Sequence, residues 1–151
     1  MGLSFGLGCA LAARMDGSER EIWVMLGDGE MQEGQVWEAA MAANYHSVGN
    51  LKVMIDRNRI QNDDFLEVQM EVGDIAAKLL SFGWVVREID GHSMPEIVDA
   101  LKWAAEINDG PCAIVAHTVK GKGVSFMENN PSFHGKAPTD DEFVIAMEEL
   151  R

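Results

Sequence analysis

The stretch "EIWVMLGDGEMQEGQVWEAAMAANYH", residues 21–46, decides how the rest of the chain is read. Residues 21–26 are a short apolar run, the signature of a buried strand. Gly27-Asp28-Gly29-Glu30 then breaks the run with glycine and acid, as a loop does. From residue 33 to 46 the apolar positions Val36, Ala39, Ala40 and Ala43 fall three or four apart, which predicts an amphipathic helix. Strand, loop and helix in that order form the first half of a βαβ unit.

The same alternation continues in both directions. Residues 3–15 read as a helix, in which Gly6 and Gly8 weaken the helix but permit close approach of a neighbouring backbone. Residues 51–56 form a second strand. Residues 57–72 show no clear period and read as a long loop rich in Asn and Asp. A helix over 74–83 has Asp74 as its N-cap and Gly83 just past its end. Strand 84–90 follows, then helix 93–108, which starts at Ser93 or Met94 with Pro95 in its first turn. Strand 111–119, a loop over 120–139 and a closing helix over 140–150 complete the order. Near-continuous apolar strands alternating with helices indicate an α/β fold, a parallel sheet with helices on both faces. One domain over 1–151 is expected. The pattern opens inside a helix with no strand before it, so the reading is of part of an enzyme. Apolar surface left on helix 3–15 predicts self-association.

Composition narrows the function. The net charge of −13 and a pI near 4.5 argue against a nucleic-acid partner, which requires a basic face. No apolar run approaches the ~20 residues of a membrane helix, and Met1-Gly2-Leu3-Ser4 lacks the basic start of a secretory signal. Cys9 and Cys112 lie far apart in apolar segments and read as free thiols in a reducing, cytoplasmic compartment.

In open α/β sheets ligands bind at the carboxyl ends of the strands. Asp28 follows the first strand and Asn58 the second. A carboxylate, an amide oxygen and the carbonyl of Ile60 would make an oxygen-only set with one charge, suited to Mg²⁺. Gly27 and Gly29 would let backbone approach a diphosphate, and the start of helix 33–46 would add N–H groups. Taken alone, GDG is a common turn, Asn58 a turn residue tolerant of left-handed backbone, and Glu33 a helix-start acid.

Gly27-Asp28-Gly29 followed by 28 residues and then Asn58 resembles the thiamine-diphosphate motif. "GDGEMQEGQVWEAAMAA", "FGWVVREIDGH", "TVKGKGVSFMENN" and "HGKAP" together resemble transketolase, most closely the N-terminal subunit of the split type, over nearly the whole chain. The resemblance implies thiamine diphosphate held through Mg²⁺ (with Ca²⁺ as an alternative) by Asp28, Asn58 and the Ile60 carbonyl. Gly27, Gly29, Glu30 and His134 would lie at the diphosphate. It implies that Glu33 and Glu38 belong to a carboxylate network near a subunit interface, and that His134 hydrogen-bonds a developing oxyanion. It implies two-carbon ketol transfer between sugar phosphates, with a C-terminal partner subunit in a homo- or hetero-oligomer. The family's upstream segment and its pyrimidine-activating glutamate have no counterpart here. Arg59 stands where the family commonly has glycine, and Asn62-Asp63-Asp64 replaces its Ile-Asp-Gly. Two other readings stand beside this one: a transketolase-like domain without activity of its own, and a component of another thiamine enzyme such as a ketoacid dehydrogenase or deoxyxylulose-phosphate synthase.

The remaining candidates read as structural. His92 orders a loop, His46 ends a helix and His117 lies in a strand. Lys120 and Lys122 either attract phosphate or sit in a mobile glycine-flanked loop.

Overall fold

The computed structural model describes residues 1–151 and carries four strands: β1 (Ile22–Gly27), β2 (Leu51–Arg57), β3 (Val85–Asp90) and β4 (Cys112–His117). All pairings are parallel, in the order β1-β2-β4-β3. Six helices accompany them: α1 (Gly2–Met15), α2 (Gly34–Tyr45), the single turn α3 (Leu66–Gln69), α4 (Ile75–Ser81), α5 (Met94–Glu106) and α6 (Asp140–Glu149). The α/β architecture read from the sequence is the one observed.

Side-chain alternation along the strands divides the core in two. One face packs Val53, Ile55, Ala113 and Val115 against α1, α2 and α4. There Val36, Ala39, Ala40 and Ala43 of α2 are buried, as their spacing predicts. The other face packs Ile114 and Ala116 against Ala100 and Ala104 of α5 alone. Helices therefore lie on both faces, but unevenly. Trp23 and Met25 of β1 lie beyond the reach of α5 and are 41% and 68% exposed. On α1, Phe5 is 77% exposed. Lys52, fully buried in β2, donates its ammonium to the Ile107 carbonyl and so caps the end of α5.

Local signals set the element ends. The Asp74 carboxylate accepts from the Ala77 N–H at 2.8 Å, and Gly83 follows α4 at φ +84°. Ser93 precedes α5, with Pro95 in its first turn. Thr139 and Glu142 form a reciprocal capping box on α6. Gly6 allows α1 to lie on β1, since a Cβ there would stand 2.3 Å from Val24 Cγ2.

Two loops are more ordered than their composition suggests. Residues 57–72 contain an antiparallel bridge between Ile60 and Phe65, and then α3. The 120–139 loop is turned rather than slack. Gly121 and Gly123 take positive φ, Asn129 N–H reaches the Lys120 carbonyl at 3.0 Å, and a short 3-10 turn spans Pro131–Phe133.

Candidate functional site

Register places the ends of β1, β2 and β4 side by side, with Gly27 opposite Asp56 and Asp56 opposite Ala116. Asp28 is therefore next to the end of β2, and its N–H donates to the Asp56 carbonyl at 3.1 Å. A 3-10 turn, Gly29–Gln32, follows Asp28 at once, and α2 begins only at Gly34. This turn stands between Asp28 and the start of α2. The turn is pinned from behind, where Trp37 Nε1 donates to the Met31 carbonyl at 2.8 Å.

Asp28 is 1% exposed. Its Oδ2 accepts the Arg59 N–H at 2.6 Å, and Arg57 Nη1 stands 3.8 Å away. Burial nevertheless pushes its carboxyl above the ordinary range, against those lowering contacts. A buried carboxylate held this way is short of positive charge.

Asn58 is oriented by neighbours that the sequence reading passed over. Asp56 takes the Thr118 hydroxyl on Oδ1 and the Asn58 Nδ2 on Oδ2, the latter at 2.9 Å. This turns Asn58 Oδ1 away from Asp56, where it accepts the Ile60 N–H at 2.9 Å. The Ile60 side chain is buried, while its carbonyl accepts no backbone hydrogen bond. Arg59, between them, has φ +64°. For a residue with a Cβ that backbone costs about 1–3 kcal/mol. It is the conformation glycine would adopt freely, and it aims the Arg59 N–H at Asp28.

Gly27, Asp28, Gly29, Glu30, Asn58, Ile60 and His134 line one cavity of about 230 Å³. Those are the seven cofactor residues anticipated from the sequence, drawn from three loops. Gln61 and Asn62 complete its wall. His134 lines the cavity, and its Nδ1 is buried without a hydrogen-bond partner. A Cβ on Gly29 would stand 3.1 Å from Gln61 Cβ, so the glycine keeps the wall close. The cavity has two carboxylates and no lysine or arginine. No cluster of three His, Cys, Asp or Glu side chains is present, so the donors to a metal would be mixed oxygens.

Glu33 and Glu38 do not line this cavity. Glu33 is exposed and accepts from Gln35 Nε2 at 2.7 Å; that amide, with the amino terminus 3.5 Å away, holds its carboxyl below the usual range. His92 Nε2 accepts the Val119 N–H at 2.7 Å, which orders the β4 loop as its sequence context predicts. His117 Nε2 stands 2.7 Å from Glu88, and both cysteines are free.

Residues 11–150 match the family model described as transketolase, thiamine diphosphate binding domain. The chain belongs to the transketolase family. It is 39% identical over 149 residues to one of the subunits of the apulose-4-phosphate transketolase of Phocaeicola vulgatus, covering 99% of this chain and 53% of that protein. It is 38% identical to the 6-deoxy-6-sulfo-D-fructose transketolase subunit SqwG of a Clostridium species, covering 99% and 54%. Among solved structures, transketolase from Campylobacter jejuni superposes with a TM-score of 0.86 at 26% identity, covering 98% of this chain and 24% of that one. This transketolase-family chain thus spans about half the length of the curated relatives it matches.

Asp56, Thr118, Gln61 and Asn62 are the site residues that sequence reasoning missed. Asp56 carried a signal, since it ends the strand read over 51–56, two positions before Asn58, where a carboxylate can orient an amide. Thr118 carried none, because its partnership with Asp56 depends on β4 lying beside β2.

Proposed function

We propose that this chain is the diphosphate-anchoring part of a split transketolase. It would transfer a two-carbon ketol unit between sugar phosphates together with a C-terminal partner subunit, in the cytoplasm. The observation that carries this reading is the 230 Å³ cavity, which gathers a GDG turn, Asn58, Ile60 and His134 but has no lysine or arginine. A diphosphate beside Asp28 and Glu30 would be repelled unless a divalent cation stood between them. The donor set, one carboxylate with an amide and a carbonyl oxygen, suits Mg²⁺, with Ca²⁺ the alternative.

When bound, thiamine diphosphate supplies the carbanion chemistry of ketol transfer. The chain's own residues hold and orient. Asp28, Asn58 and the Ile60 carbonyl would ligate the metal. The N–H groups of Gly29 and Glu30 would face the diphosphate. His134 would donate a hydrogen bond to an oxygen that gains charge during the reaction. Asp56 and Thr118 would hold the Asn58 oxygen in place for a metal, as outer partners of metal ligands do. Glu33 and Glu38 would act outside the cavity, in contact with another subunit.

The test is reconstitution. The chain, mixed with a C-terminal transketolase subunit, Mg²⁺ and thiamine diphosphate, is expected to convert a ketose phosphate and an aldose phosphate, and neither chain alone should do so. A reconstituted complex that binds the cofactor but transfers no ketol unit would identify a catalytically incomplete domain instead.

A further inference from the structure

A second cavity, of about 400 Å³, adjoins the first and shares Asn58 with it. Its lining differs in having guanidiniums, with Arg57 and Arg59 set against Glu67 and Glu71 and with Asn129 across the cavity. The cofactor cavity has no lysine or arginine, and this one has two guanidiniums.

The two arginines differ in their commitments. Arg57 is spoken for, with Nη2 3.1 Å from Glu71 and Nη1 3.8 Å from Asp28. Its Nη1 still lacks a hydrogen-bond acceptor although it is buried. Arg59 has no ion pair and no side-chain hydrogen bond. It is also held at φ +64°, and Asn129 across the cavity at φ +51°. Two of the three non-glycine residues with positive φ therefore line one cavity. Such strain persists where the side chain has a use that glycine would forfeit. The acids present are Glu71, already held by Arg57 and by the Gly73 N–H at 2.9 Å, and Glu67. An unpaired guanidinium suits a phosphate, while Glu67 and the Asn129 amide suit hydroxyl groups.

We infer that the cavity between β2, β4 and the 57–72 loop is a metal-free site for a phosphate monoester, with Arg59 as its anchor. The sugar-phosphate substrates of the proposed reaction are one source of that group and free inorganic phosphate is the other. The site is separate from the diphosphate cavity, where the anion is met by a metal. It rests on the proposed function only for naming sugar phosphate as a source.

The test is a titration of the chain with ribose 5-phosphate, ribose and inorganic phosphate at fixed ionic strength, followed by amide chemical shifts. Ribose 5-phosphate is expected to shift Arg59 and Asn129, and ribose is not. Tighter binding of ribose 5-phosphate than of inorganic phosphate assigns the sugar phosphate as the source; equal binding assigns the free anion. Arg59→Gly is the decisive variant, because glycine accepts φ +64° and folding is preserved, which a Tm equal to or above wild type verifies. It is expected to weaken phosphate binding about tenfold or more, and Arg59→Lys to restore part of it. No binding by either phosphate, or binding unchanged in Arg59→Gly, would overturn the inference. Titrating the same samples with Mg²⁺ and thiamine diphosphate reads the other cavity, so failure of one site leaves the result for the other standing.

Discussion

Asp28 shows how a site residue trades stability for binding. Burial raises its carboxyl pKa above the ordinary 3.8. The cost of ionising it is absent where both folded and unfolded chains are protonated. The cost appears as pH rises above the unfolded value and is complete above the folded one. Asp28→Asn removes the charge, so without metal its Tm should exceed that of wild type at pH 7, and the gap should close as pH falls toward 4. Thermal melts of both proteins across that range check this; a wild type more stable than the variant at pH 7 would refute it. At the same position Mg²⁺ affinity should fall by more than the ~10–100-fold that loss of an outer partner costs. Asp28 and Asn58 were legible in the sequence because a strand-loop-helix pattern fixed where both must sit. The orientation of Asn58 by Asp56 and Thr118 was not, since it arises from the lateral order of strands that are distant in sequence.

At the scale of elements, α1 gives a paired test. Gly6 lies against Val24, and Gly8 has open space around it. Gly6→Ala should destabilise by about 1–3 kcal/mol through overpacking, and Gly8→Ala should stabilise by up to about 1 kcal/mol through helix propensity. Denaturant unfolding of the two variants measures both, and equal effects would mean that α1 does not sit on β1 as described. On α6, Thr139→Ala removes the capping box and should cost about 1 kcal/mol. Helix periodicity and the caps at Asp74 and Gly83 made these elements readable. The bridge between Ile60 and Phe65, and α3 after it, escaped because they are too short to show a period, and polar turn residues dominate their surroundings.

The molecule as a whole has a parallel sheet with one well-covered face and one that α5 covers only in part. Parallel sheets are stable when buried on both sides, and Trp23, Met25 and Phe5 stand exposed. The net charge of −13 opposes association until salt screens it. Sedimentation should therefore show self-association that strengthens with salt and weakens in a Trp23→Ser/Met25→Ser variant; a monomer at micromolar concentration in high salt would count against this. The uneven covering was not legible, because sequence periodicity does not show which strands one helix can reach. The central claim concerns the cavity at the ends of β1 and β2, whose lack of a lysine or arginine makes its proposed hold on a diphosphate depend on metal. Calorimetric titration of thiamine diphosphate, with and without Mg²⁺, into wild type and Asp28→Ala tests it directly. Binding that requires Mg²⁺ and disappears in Asp28→Ala is predicted; equal affinity with and without the metal, or affinity retained by the variant, would contradict it.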